Sequence, residues 1–139
     1  MPGCGPSAKL DSDAPASDGV RMMKTLIFVA LGGALGACLR FGVGIMLAFP
    51  LGTLAVNVAG SLLIGITWVM LTDKAPDLLP FVMTGLLGGF TTFSAFSLDT
   101  LRLVEDGRLG FAIFYVAASV ILSLVACLLG LWLARGVMA

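Results

Sequence analysis

Histidine is absent from this 139-residue chain, and with it go the commonest general base near neutral pH and the commonest transition-metal ligand. Charge is scarce as well. Asp, Glu, Lys and Arg make up 12% of the residues, and eight basic side chains are matched by eight acidic ones, so there is no basic surplus for nucleic acid and no acidic tail. The three cysteines, Cys4, Cys38 and Cys127, have no metal-ligand spacing. Cys38 and Cys127 fall in apolar runs and read as small packing residues. Nothing brings together a nucleophile, a base and an orienting group, and no nucleotide-binding loop is present, so the sequence argues against an enzyme and against an ATP-driven pump.

What the chain does have is apolar surface. Its residues are 59% hydrophobic, and a mean hydropathy of +1.09 places it among integral membrane proteins. Four apolar runs, at 25–49, 51–71, 78–98 and 111–134, are each long enough to cross a hydrocarbon core of ~30 Å at ~1.5 Å per helical residue. The expected fold is therefore all-α, with one four-helix membrane domain over 23–139. Residues 1–22 are rich in Pro, Gly, Ser and Asp and read as a disordered polar tail, not a secretory signal. Met22 and Met23, just ahead of the first span, are candidate starts.

The third run is built wrongly for a simple span. Within it, residues 85–97 read GLLGGFTTFSAFS: Gly88 and Gly89 loosen the helix, and the hydroxyls of Thr91, Thr92 and Ser94 compete with the helical ladder. A broken helix is expected here. Non-helical backbone at membrane depth survives only where protein buries it or a cavity lines it, so the break marks a site for a small polar species, with Phe93 and Phe96 inside it.

Other polar residues inside the spans carry two readings each. Arg40, late in the first span, either snorkels or finds a structural partner, or it draws anions. Asn57 in the second span either glues helices by a hydrogen bond or donates its NH2 to a permeant anion. Tyr115, Ser119 and Ser123 recur every fourth residue on the last span, so they share one helix face; back-bonding to the preceding turn competes with a hydroxyl-lined path. Ser61 and Gly65 continue a small-residue face and read as packing, as do Gly32 and Gly36 in GxxxG spacing.

Four spans put the N-terminus, the second loop and the C-terminus on one side. Arg21, Lys24, Lys74 and Arg135 lie there, against Arg40, Arg102 and Arg108 on the other side, so the positive-inside bias is weak. A chain so balanced is expected to insert both ways up and to pair as an antiparallel, dual-topology homodimer. A proton-coupled exporter of organic cations can share that architecture, but it needs a carboxylate inside the membrane. Asp73, Asp77, Asp99, Glu105 and Asp106 are all expected in loops or at span ends. A passive accessory subunit would explain the glycines but not a broken third helix beside a hydroxyl stripe.

At this point the chain resembles the family of small fluoride channels called Fluc or CrcB. The resemblance rests on GGALGACLRF from Gly32, GTLAVNVAGS from Gly52, GLLGGFTTFSAFS from Gly85 and the Tyr115, Ser119, Ser123 stripe. It implies a homodimer with two fluoride pores in the plasma (inner) membrane, and a structural sodium ion held at the dimer centre by backbone carbonyls. Carried over residue by residue, those carbonyls fall on Gly88 and Thr91, the pore phenylalanines on Phe93 and Phe96, and the pore amide on Asn57. The hydroxyl track includes Ser119 and Ser123, with Tyr115 near it. Arg40 and Asp99 are left as vestibule or structural charges. The chain departs from the family pattern at Ala95, where Thr is common, and at Asp99, where Glu is common. Fluoride is small and tightly hydrated, so neutral donors that replace its water without trapping it suit its passage, and passive export of cytoplasmic fluoride is the expected role.

Overall fold

The computed structural model describes residues 14–138, so residues 1–13 of the expected polar tail lie outside the described residues. Four helical stretches are long and apolar enough to cross a membrane, as the hydropathy runs predict: Asp18–Met46, Leu51–Leu71, Pro76–Glu105 and Leu109–Met138. They belong to α1 (Ala14–Met46), α2 (Leu51–Leu71), the interrupted third span, and α5 (Leu109–Met138). The helix α1 begins eleven residues before the expected span at 25. Once an apolar segment has paid for nucleation, each added residue gains a backbone bond, so helix propagates past the hydrophobic boundary into polar sequence.

The third span opens with a 3-10 turn at Pro76–Leu78, then winds as a π-helix over Pro80–Leu87 and as α-helix over Gly88–Phe90; these last two pieces form α3 (80–90). In the widened stretch the Gly88 N–H reaches the Met83 carbonyl, five residues back. At Thr91 (φ −80°, ψ 156°) and Thr92 (φ −154°, ψ 118°) the backbone is extended. The helix restarts as α4 (Phe93–Glu105), capped by the Thr92 hydroxyl, which accepts the Ala95 N–H at 3.2 Å. The expected break is therefore present and confined to two residues.

One expectation needs correction. Apolar runs at 78–98 and 111–134 imply a loop over 100–110, yet α4 continues to Glu105 and only Asp106–Arg108 turn, with Gly107 at φ 73°. The reason is amphipathic spacing. Phe96, Asp99 and Leu103 are buried at intervals of three and four on one face, while Arg102 and Glu105 remain outside. Phe96 and Leu103 join Ala112 and Tyr115 of α5 in the small core.

Helices in lipid gain little from burying apolar surface against each other, so packing depends on close backbone approach. The most extensive helix pair is α2 with α5, followed by α1 with α3. Where α2 crosses α5, a Cβ on Gly65 would strike the Cys127 carbonyl and one on Gly130 the Leu62 carbonyl. Where α1 crosses α3, a Cβ on Gly32 would strike the Phe81 carbonyl and one on Gly36 the Leu86 carbonyl. The GxxxG pair of the first span thus seats the broken helix. Replacing Gly36 with Ala forces backbone apart and is expected to destabilise the protein by about 1–3 kcal/mol, whereas Gly42→Ala, with nothing among the described residues within 4 Å of its Cβ, should leave the thermal midpoint in detergent unchanged or raise it, since Ala is the better helix former; equal midpoints for the two variants would contradict this packing.

Candidate functional site

The break at Thr91 and Thr92 interrupts the backbone ladder, and side chains from two other helices take over its bonds. Asn57 of α2 bonds Thr92 twice. Its Nδ2 donates to the Thr92 carbonyl at 3.0 Å and its Oδ1 accepts the Thr92 N–H at 2.8 Å. Both backbone groups of an extended residue are satisfied this way, and one amide hydrogen of Asn57 stays uncommitted. Arg40 of α1 donates from Nε to the Gly89 carbonyl at 3.1 Å. Of its two readings, the structural partner is therefore present, and the half-buried guanidinium sits at the negative end of α3. Gly60 lets α2 come this close, since a Cβ there would strike the Thr91 methyl group.

The same exchange bears on Gly88 and Thr91. Continuation of α3 would give the Gly88 carbonyl the Thr92 N–H, but that N–H is bonded to Asn57. The extended ψ of Thr91 turns its carbonyl out of the helical ladder. Two neutral backbone oxygens are thus released at the break, a donor set suited to a hard monovalent cation. Thr91 spends its own hydroxyl on the Leu87 carbonyl at 3.0 Å.

Beside the break lies a groove of about 370 Å³. Asn57 and Ser61 of α2, Phe93 and Phe96 of α4, and Ser119 and Ser123 of α5 line it, with Ile64, Val120 and Leu124 supplying apolar wall. The two phenylalanine rings lie 5.4 Å apart, tilted at 47°. Phe96 is only 9% exposed and rests on Tyr115 at 5.5 Å, whereas Phe93 is 78% exposed in the single chain. The structure thus brings the sequence-derived pore residues to one groove, with Tyr115 just behind it.

The hydroxyl stripe does not behave like the other hydroxyls of the spans. Thr91, Ser97 and Thr100 bond back to carbonyls four residues earlier. Among the described residues, the buried Ser119 and Tyr115 hydroxyls have no hydrogen-bond partner. An unpaired buried hydroxyl costs ~1–3 kcal/mol, so this pair holds unspent donor capacity, and for Ser119 back-bonding is ruled out as its purpose.

Asp99 corrects the sequence reading. It does not sit at a span end; it is 8% exposed within α4, and the Thr53 hydroxyl of α2 donates to its Oδ2 at 2.6 Å. The Tyr115 hydroxyl lies close to this pair and to Ser119. The helix extends past Asp99 because Leu103 continues its buried face, a spacing that a count of apolar residues stopped short of. A second groove of about 310 Å³ on the far side of the break is lined by Arg40, Thr53, Thr92 and Ala95. Sequence reasoning left Ser61 as packing and gave Thr92 no role in the site. The signal for Ser61 was its position four residues after Asn57, one turn along the same face; for Thr92 it was the N-cap pattern ahead of α4.

Comparison with known proteins gives this geometry a context. Residues 27–131 match the family model described as "CrcB-like protein, Camphor Resistance (CrcB)". A protein of Paracoccus denitrificans named "Fluoride-specific ion channel FluC" is 50% identical over 124 residues, covering 85% of this chain and 100% of the relative. One of the same name from Cereibacter sphaeroides is 52% identical over 124 residues, with the same coverage. Another from Rhizobium meliloti is 46% identical over 122 residues, covering 81% of this chain and 98% of its own length.

The double bond from Asn57 has a direct consequence for stability. Asn57→Ala strands the Thr92 N–H and carbonyl at membrane depth and is expected to cost about 1–3 kcal/mol, read as a lower thermal midpoint in detergent. Asn57→Asp keeps the acceptor for the Thr92 N–H but sets a carboxylate against the Thr92 carbonyl, so it should lower the midpoint too; an unchanged midpoint in both variants would show that the clamp does not hold the break.

Proposed function

The chain belongs to the CrcB family, and from that membership we propose that this multi-pass membrane protein is a passive, fluoride-selective channel through which cytoplasmic fluoride leaves the cell. It is a channel and not an enzyme. The observation that carries the reading is the groove at the break. Its polar groups are neutral donors, its walls are apolar, and no fixed cation lines it.

Fluoride entering such a groove gives up tightly held water and needs donors in its place. The uncommitted amide hydrogen of Asn57 and the hydroxyls of Ser61, Ser119 and Ser123 supply them. Phe93 and Phe96 line the same space, and the edge of an aromatic ring is the positive side of its quadrupole. A lysine there would trap the ion; weak donors in sequence let it go. An inside-negative potential favours outward movement of an anion by ~2.3 kcal/mol per 100 mV, so no coupled energy source is required.

The functional unit is an antiparallel homodimer. Phe93 lies open on the single chain, and α1 and α4 expose large apolar residues such as Leu31, Leu35, Leu39, Leu98 and Leu101. A second copy would wall the groove and leave two pores per dimer. The nearly even split of basic residues between the two sides supports insertion in both orientations. In that assembly the carbonyls of Gly88 and Thr91 would hold a sodium ion, which supplies a fixed positive charge between the subunits. Asn57 frees the Gly88 carbonyl for this role by taking the Thr92 N–H. Arg40 answers the neighbouring Gly89 carbonyl and keeps it out of the donor set.

A proton-coupled exporter would require Asp99 to exchange its proton with substrate during transport. Asp99 instead accepts the Thr53 hydroxyl away from the first groove. Efflux that runs without a proton gradient separates the two readings.

Reconstituted into liposomes loaded with fluoride, with a potassium ionophore to relieve charge build-up, the protein should release fluoride rapidly with little chloride leak and no dependence on a pH gradient. Phe93→Ile combined with Phe96→Ile should reduce fluoride efflux by at least an order of magnitude while the variant remains a folded dimer, since the loss of two close ion contacts of ~1 kcal/mol each already exceeds that factor; undiminished flux would remove the rings from the pore. Replacing sodium by N-methylglucamine during purification should lower the thermal midpoint and the flux together, and indifference to the exchange would remove the cation.

A further inference from the structure

Away from the break, a cavity of about 460 Å³ opens between the start of the first span and the start of the third. Arg21, Lys24, Thr25 and Phe28 of α1 form one wall, and Pro76, Asp77 and Pro80 form the other. On α1 these positions follow at intervals of three, one and three, so they share one helix face. The Thr25 hydroxyl is already spent on the Arg21 carbonyl at 3.0 Å, which leaves the two basic side chains and Asp77 as the charged groups of the cavity. Asp18 lies one turn further out on α1 and does not line it.

The position of this cavity along the membrane normal is fixed by the sequence. Arg21 and Lys24 immediately precede the apolar run that begins at Thr25, and Asp77 immediately precedes the apolar run of the third span. Both sets of charges therefore stand where hydrocarbon gives way to headgroups. Below them the floor is apolar. Phe28 meets Phe81 edge to face, with ring centroids 6.4 Å apart, and Pro80 completes the surface facing the cavity.

The geometry points to a lipid site: this cavity binds the headgroup of an aminophospholipid, with its phosphodiester between Arg21 and Lys24, its ammonium group at Asp77 and its glycerol and upper acyl chain on Phe28 and Pro80. Charge complementarity decides the occupant. The phosphodiester lies between the two cations, and the single carboxylate across the cavity answers a cation held a few bonds away on the same molecule, so each charged side chain faces an opposite charge. A purely anionic headgroup would leave Asp77 facing negative charge, and an uncharged diacylglycerol would leave all three side chains unanswered. The site lies outside the permeation groove and does not depend on what the groove conducts.

The full-length protein, delipidated in detergent, would be titrated with dioleoyl phosphatidylethanolamine, dioleoyl phosphatidylglycerol, dioleoylglycerol and inorganic phosphate, and bound lipid counted by native mass spectrometry. Phosphatidylethanolamine should bind ahead of phosphatidylglycerol, and both ahead of dioleoylglycerol. Arg21→Gln combined with Lys24→Gln should weaken phosphatidylethanolamine binding on the order of tenfold, while Arg21→Lys combined with Lys24→Arg retains it. Asp77→Asn leaves both cations in place and should reverse the order of the two phospholipids. Unchanged binding in the Gln variant, an unchanged order in Asp77→Asn, or dioleoylglycerol binding as well as the phospholipids would overturn the proposal. Displacement of the lipid by inorganic phosphate alone would also overturn it, since the site would then read a free anion. A thermal midpoint for each variant separates loss of lipid from loss of fold.

Discussion

A backbone N–H or carbonyl left unpaired in hydrocarbon costs several kcal/mol, and that constraint organises this molecule around two residues. Thr91 and Thr92 leave the helix at membrane depth, and each backbone group they release must be answered from elsewhere. Asn57 answers both groups of Thr92, and Arg40 answers the last turn of α3 at Gly89. These bonds are possible only because the helices carrying them approach closely. Gly60 admits α2 to the break, and Gly32 and Gly36 admit α1 to α3. The glycine pattern, the half-buried amide and the half-buried guanidinium all answer one interruption.

This dependence changes what Asn57 means. An amide has one acceptor oxygen and two donor hydrogens, and the clamp uses the oxygen and one hydrogen. Gluing helices and serving an ion are then not rival roles, because the glue fixes the direction in which the remaining hydrogen points. A backbone amide could not do this at a helix end without further unwinding. The serines across the groove differ in kind. Ser119 gives up the back-bond that Ser97 and Thr100 make, and an unspent hydroxyl at a rigid helix face is a donor held ready at no cost in reorganisation.

Much of this was legible in the sequence because it follows from local chemistry. Four apolar runs became four spans, GGFTTFS became a break, and the four-residue spacing of Tyr115, Ser119 and Ser123 became one face of α5. What was not legible depends on tertiary partners. Asp99 reads as a span end when apolar residues are counted, but Thr53, 46 positions earlier, gives its carboxylate a hydrogen bond and lets α4 run on to Glu105. Arg40 reads equally well as a headgroup anchor until the Gly89 carbonyl is found beside it. Ser61 was set aside as a small packing residue because the groove it lines is formed by three helices that no local pattern brings together.

The buried Asp99 also bears on how the two grooves relate. The Thr92 backbone sits between them, and Thr53, Thr92 and Ala95 line the second while Asn57, Thr92 and Ser119 line the first. The polar groups of the first groove are neutral, whereas the second carries the guanidinium of Arg40, and the Asp99 carboxylate is bonded to Thr53 without lining either groove. Ala95 adds no hydroxyl to the second groove, so the polar contacts there fall to Thr53 and Thr92, whose hydroxyls are committed to Asp99 and to the cap of α4. The uncommitted donors and the phenylalanine pair are found in the first groove.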